Sequence, residues 1–221
     1  MSTASEDGGD CVMKFGFLLF PELEELDFVG PWEIIGVWGE FYEGPEHRLT
    51  VSQSGDEVLC AKGLRIVPDC SFDRCPPLDY LLIPGGWGTR KEVANQELVE
   101  FVRKQARTCK QVLSVCTGAF ILQAAGLLKG KRATTHWRSL DRLREFQEVS
   151  VIEQRLVRDG NIWTAAGISA GIDLALAFVA DQGGEEVAGK VQLHAEYYPA
   201  NAKYGSAHLT AEAPDYIKAP L

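Results

Sequence analysis

No apolar run in these 221 residues approaches the roughly 20 needed to span a bilayer, which excludes a membrane-spanning helix. The first ten residues, Met1 to Asp10, are polar and acidic and lack the basic and apolar regions of a secretory signal, so a cytoplasmic protein is expected. Positive charge is scarce: 22 Lys and Arg stand against 31 Asp and Glu, for a formal net charge of −9. Such a chain has no global field to draw it to phosphate backbones or anionic lipid, so the expected partner is a small molecule, with no nucleic acid and no membrane. None of the six cysteines forms a C-x-x-C pair, histidines number four, and no Cys/His cluster stands at zinc-ligand spacing. Metal is therefore not expected, and a chain of this size needs no disulfide scaffold, so reduced thiols are the default. Internal repeats and low-complexity blocks are missing too.

What is present is enough apolar residue for a core, 46% of the chain, and a regular alternation of short apolar runs with amphipathic ones. Residues 1–12 read as a disordered leader, 13–198 as one domain and 199–221 as a tail. Met13 to Phe20 is a continuous apolar run too short for a helix, which suits a strand buried on both faces, and Tyr80 to Ile83 and Lys110 to Val115 read as further short buried strands. Arg48 to Gln53 and Ile162 to Ala165 read as strands, Glu57 to Val67 as a hairpin, and Ala133 to Thr135, Val149 to Ile152 and Arg155 to Val157 as short strands extending the sheet. Helices are expected at Trp32 to Trp38, opened by Gly30-Pro31, and at Gln96 to Thr108, Gly118 to Ala125, Arg138 to Phe146 and Ser169 to Ala180. Strands alternating with helices predict an α/β fold, a mostly parallel sheet with helices on both faces.

Ligands of such sheets sit beyond the carboxyl ends of the strands, and four features gather there: Asp27, Gly85-Gly86, Cys116 and His136. Cys116 stands where a buried strand turns into a helix, with Gly118 two residues on, the context of a nucleophile elbow without the literal G-x-S-x-G. A buried free cysteine is usually a packing residue, but unpaired N–H groups and the positive end of a helix at this joint favour the thiolate, which is the nucleophile. Pro84-Gly85-Gly86 reads either as a simple turn or as a close backbone approach, with Gly86 N–H and Thr117 N–H forming an anion-stabilising pair. Asp27 reads either as a helix-capping residue or as a carboxyl kept protonated by burial beside the thiol. His136, twenty residues after Cys116, is a candidate general base or a histidine packed beside Trp137.

Taken in order, several segments resemble the ThiJ/PfpI superfamily of flavodoxin-like cysteine proteins, and within it the isocyanide hydratases. They are Gly16 to Pro21, Leu26-Asp27 with Gly30-Pro31, Cys75 to Asp79, Ile83 to Gly86, Ser114 to Gly118, Ala124 to Trp137 and Gly167 to Asp173. The resemblance implies a homodimer, a nucleophile at Cys116, a neighbouring carboxyl at Asp27 and a hydrogen-bonding role for Thr117. It implies hydration of an isocyanide to an N-substituted formamide through a covalent thioimidate, with no cofactor. Relatives that look like proteases have histidine directly after the cysteine; Thr117 in that place argues against peptidase activity. Glyoxalase-like thiol chemistry on dicarbonyls and a redox or ligand sensor use the same residue types and remain alternatives. Ala133 to Trp137 and the Cys-Thr-Gly neighbourhood also resemble the ligand-sensing domains of AraC-type regulators. Those need a helix-turn-helix domain, for which the 23 residues after Tyr198 are too few.

Overall fold

Buried apolar strands set the frame. The computed structural model describes residues 13–199 and 203–218; the expected leader, 1–12, lies outside the described residues. The chain runs β1 (Lys14–Leu18), α1 (Glu25–Phe41), β2 (His47–Ser52), β3 (Val58–Leu59), β4 (Arg65–Ile66), β5 (Cys70–Ser71) and β6 (Tyr80–Ile83). It continues with α2 (Thr89–Glu92), α3 (Gln96–Ala106), β7 (Gln111–Val115), α4 (Gly118–Ala124), β8 (Arg132–Ala133), α5 (Leu140–Arg144) and β9 (Ser150–Val151). Then follow β10 (Leu156–Asp159), β11 (Ile162–Ala165), α6 (Ala170–Gly183), α7 (Glu185–His194) and α8 (Asp215–Lys218). Seven strands form the central sheet in the order β10-β11-β7-β6-β1-β2-β5, parallel throughout except for the β10–β11 hairpin. β3 pairs with β4 as the expected hairpin, whereas β8 pairs with β9 in a small separate sheet, so Val149 to Ile152 does not extend the main one.

Register assigns the faces. Phe15 lies beside Tyr80, which lies beside Gln111, and two residues on Phe17, Leu82, Leu113 and Trp163 stand in line. Side chains alternate along a strand, so these belong to one face. There Phe178 of α6 packs edge-on against Phe15, Tyr80 and Trp163, and Phe28 and Trp32 of α1 meet Phe17. Gly16 points the other way, toward Leu78, whose N–H donates to Gln105 Oε1 of α3. Helices therefore cover both faces, as expected.

Two expectations need correction. α1 begins at Glu25, so Pro31 lies inside it and Asp27 sits in its first turn instead of in a loop. The reason is a close helix crossing. A Cβ on Gly30 would lie 2.8 Å from Ile172 Cγ1, and one on Gly171 would lie 3.0 Å from Pro31 Cγ, so Gly30-Pro31 seats α1 on α6. The Arg138 to Phe146 helix is a 3₁₀ turn followed by the shorter α5. The C-terminal stretch also folds back: Tyr216 packs against the core, and Asp215 N–H donates to Glu153 Oε1 at 3.2 Å. Among the described residues no helix is long and apolar enough to cross a membrane.

Candidate active site

The loops after β6, β7 and β11 meet the first turn of α1 around one sulfur. β7 is buried through Val112 to Val115, and Cys116 follows with φ +56, the left-handed region that a side chain rarely adopts. The neighbours hold it there. Cys116 N–H donates to Ala165 O at 3.1 Å and Ala166 O at 2.9 Å, and Thr135 Oγ1 donates to Cys116 O at 2.7 Å. Any Cβ at residue 118 would fall 2.3 Å from Ile83 O, so the Gly118 that follows is required by the tight return of the chain.

Asp27 is fully buried, and its Oδ2 accepts Gly85 N–H at 2.8 Å. Oδ1 is buried without a well-aligned partner, and the Cys116 thiol lies close enough to act on the carboxyl. Burial raises the Asp27 carboxyl to about 8; the Gly85 N–H opposes this, the nearby Glu24 charge adds to it, and the thiol and Lys62 oppose it. The carboxyl is therefore largely protonated at neutral pH. Burial also pushes the Cys116 thiol up, and the Asp27 charge pushes it further, against the N–H and hydroxyl of Thr117 and the N–H of Ile168. This corrects the expectation of a thiol lowered by its helix: at 7% exposure, loss of solvation outweighs the backbone donors. Acid and thiol form a linked pair, neutral together.

The glycine turn works differently from expectation. Gly86 N–H donates to Thr117 Oγ1 at 3.0 Å, and Thr117 Oγ1 also contacts Gly86 O at 3.2 Å and Thr89 Oγ1 at 3.1 Å. Gly86 N–H is thus occupied in locking the elbow and does not face the sulfur. The N–H groups that act on the sulfur are those of Thr117 and Ile168. Ile168 was missed from sequence; its φ of +40 makes it, with Cys116, the second non-glycine residue of the site in the left-handed region, and only the adjoining Gly167 hinted at it. Gly85 is a steric necessity: a Cβ there would lie 2.5 Å from Thr117 N, 2.7 Å from Thr117 Oγ1 and 2.8 Å from Asp27 Oδ2.

His136 shares the cavity with Cys116 but makes no hydrogen bond to it among the described residues. Its Nδ1 accepts Arg138 N–H at 3.2 Å, its ring packs on Gly167, and burial followed by the Arg138 charge lowers its pKa, so it is neutral. The cavity measures about 250 Å³ and is walled further by Glu24, Trp87, Arg90, Arg138 and Ser139. A group of three or more His, Cys, Asp or Glu side chains placed to hold a metal is absent among the described residues. The arrangement can therefore present a nucleophilic sulfur, an adjacent proton source and two backbone donors to one small molecule.

Comparison with known proteins follows the same residues. A model of the DJ-1/PfpI family matches residues 13–181. The chain is 40% identical over 189 residues to isonitrile hydratase of Pseudomonas putida, covering 85% of this chain and 80% of that one. It is 33% identical over 180 residues to the HTH-type transcriptional regulator GbdR of Pseudomonas aeruginosa, covering 80% of this chain but only 49% of the regulator. Among solved structures, a ThiJ/PfpI family protein from Pseudomonas syringae superposes with a TM-score of 0.81 at 34% identity, over 99% of this chain and 89% of that one.

Proposed function

The chain belongs to the DJ-1/PfpI family, and on that premise we propose that it hydrates isocyanides to N-substituted formamides, with Cys116 as nucleophile and Asp27 as proton relay. The observation that carries this reading is the buried carboxyl raised to about 8 beside the thiol, which keeps an acid loaded where the chemistry needs one. The 40% identity to an isonitrile hydratase over most of the chain supports the choice of electrophile.

The terminal carbon of an isocyanide accepts a nucleophile and a proton at the same atom. The Cys116 sulfur bonds to that carbon while Asp27 delivers its proton there and takes up the proton of the thiol. R–N≡C plus the thiol thus becomes the thioimidate R–N=CH–S–Cys116 with no net change of charge. Asp27 next takes a proton from water as the oxygen bonds to the carbon, and its own proton passes to nitrogen. Collapse of R–NH–CH(OH)–S–Cys116 breaks the C–S bond, returns the hydroxyl proton to sulfur and releases R–NH–CHO. The N–H groups of Thr117 and Ile168 stabilise charge on sulfur as the C–S bond forms and breaks. Gly85 N–H orients Asp27, and Thr117 Oγ1 ties the elbow to the Gly86 turn. His136 receives no step. With this reading go a homodimer and a single cytoplasmic domain over 13–198.

Purified protein mixed with an aryl isocyanide should yield the formamide, followed by chromatography. Cys116→Ser should lose at least about a thousandfold in kcat, and Asp27→Asn at least about a hundredfold. Turnover of methylglyoxal without isocyanide would replace this reading with the glyoxalase-like one. Retention of hydration by Cys116→Ser would remove the nucleophile assignment. Slow peroxide oxidation of Cys116 with no turnover of either substrate would favour a sensor.

A further inference from the structure

The cavity holding Cys116 is flanked by two arginines, Arg90 and Arg138. Each sits over a tryptophan ring: the Arg90 Cζ is 4.1 Å from the Trp87 ring centre and that of Arg138 is 4.8 Å from the Trp137 ring centre. Elsewhere Arg65, Arg103, Arg132, Arg144, Arg155 and Arg158 each pair with a carboxylate, whereas Arg48, Arg74, Arg107 and Arg142 do not among the described residues; none of these others lines the Cys116 cavity. Neither Arg90 nor Arg138 has a carboxylate within 4 Å among the described residues. In a chain of net charge −9, Arg90 and Arg138 place two guanidiniums without an acidic partner on the wall of one small cavity, where their charge is free to meet a ligand. Glu24, the carboxylate on the cavity wall, does not supply the missing partner, because it is paired with Lys62 at 2.8 Å. His136, which lines the same cavity, is neutral and contributes no charge of its own.

We propose that Arg90 and Arg138 form a carboxylate-binding subsite, so that the substrates of this enzyme are small isocyanides carrying a carboxylate. The inference rests on the hydratase reading and names its substrate class. Planar guanidinium groups present paired N–H donors that match a carboxylate, and stacking on an indole holds them in place before the ligand arrives. The cavity, about 250 Å³, is smaller than the usual ligand pocket of about 300–1,000 Å³, which suits a substrate of one ring or a short chain. Trp87, 62% exposed, offers its indole to the body of such a molecule. The isocyanide end then reaches the sulfur while the carboxylate stays at the mouth. This also separates the anion from Asp27, which has to remain protonated.

The test compares 4-isocyanobenzoate with its methyl ester, which removes the charge at that end. The wild-type protein should show a KM for the acid at least about tenfold below that for the ester, narrowing as salt is raised. Arg90→Gln and Arg138→Gln should each reduce the acid-to-ester ratio of kcat/KM by at least about fivefold, and the double substitution should abolish the preference. Arg138→Lys should restore part of the ratio. An equal or lower KM for the ester, or equal effects of both substitutions on the two substrates, would overturn the subsite. If neither isocyanide is hydrated, the hydratase reading fails, and a second measurement decides the subsite separately. Protection of Cys116 from N-ethylmaleimide by 4-formamidobenzoate but not by its ester, lost in the double substitution, supports it; equal protection by both, or none by the acid, rejects it.

Discussion

Asp27 and Cys116 show how burial sets the chemistry of single residues. A carboxyl raised from 3.8 to about 8 keeps its proton in the folded state where the unfolded chain has released it. The folded state therefore binds the extra proton between about pH 4 and pH 8, and stability falls as pH rises through that window. Asp27→Asn removes the titration while keeping an oxygen for Gly85 N–H. The melting temperature of the variant, measured from pH 5 to pH 8, should exceed that of the wild type by a growing margin. In free energy the margin should reach the order of a few kcal/mol at the alkaline end, since every tenfold change in proton affinity between the folded and unfolded states corresponds to about 1.4 kcal/mol. Parallel curves would show that the carboxyl titrates normally. In the same variant the pH midpoint for Cys116 alkylation should move down, because the Asp27 charge that raises it is gone. Cys116 was legible in sequence as a cysteine at a strand-to-helix joint, but whether its thiol is raised or lowered was not. Helix dipole and free N–H groups can be inferred from local pattern, whereas desolvation depends on which distant residues close over the sulfur. Ile168 escaped for the same reason: its N–H belongs to the loop after β11, far from Cys116 along the chain.

At the scale of elements, glycines show which turns are chosen for shape and which for space. Gly85 carries no left-handed φ, yet a side chain there would meet Thr117 N, Thr117 Oγ1 and Asp27 Oδ2 inside 3 Å. Gly126 has φ +77 and nothing within 4 Å of an added Cβ. Gly85→Ala should therefore displace the elbow or Asp27, lowering kcat at least about a hundredfold and costing about 1–3 kcal/mol. Gly126→Ala should cost only about 1 kcal/mol of backbone strain and leave kcat within about twofold. Denaturant midpoints and steady-state rates for the two variants separate the cases; equal losses in both would show that Gly85 is only a turn. The long apolar strands were readable because burial on both faces leaves continuous runs. The start of α1 was not, because Gly30-Pro31 looks like a helix opening in sequence, while its use is the crossing with α6, which tertiary packing decides. α7 was also missed: only Ala188 and Val191 are buried along it, too sparse an apolar face to declare a helix.

For the whole molecule, the C-terminal stretch changes how the site is enclosed. Residues 199–221 read in sequence as a tail of open role, yet Tyr216 of α8 packs on the core, and its hydroxyl is raised first by burial, with the Arg155 charge opposing and the Glu153 charge adding to it. Trp137 and Arg138, beside the Cys116 cavity, also wall a second cleft that Tyr204, His208 and Ile217 line from the C-terminal stretch. The C-terminal stretch and the site therefore share a wall at Arg138. Tyr216→Ala removes a partly buried aromatic ring and should lower stability by about 1–2 kcal/mol. It should also speed alkylation of Cys116 by N-ethylmaleimide at least about threefold, as water and reagent gain access from that side. Truncation after Tyr198 should show both effects more strongly, with a raised KM for isocyanide and a smaller change in kcat, since Cys116, Asp27, Gly85 and Ile168 all precede the cut. Alkylation rates unchanged by truncation would show that the C-terminal stretch stabilises the fold without screening the sulfur, and the enclosure of the site would then rest on the loops after β6, β7 and β11 alone.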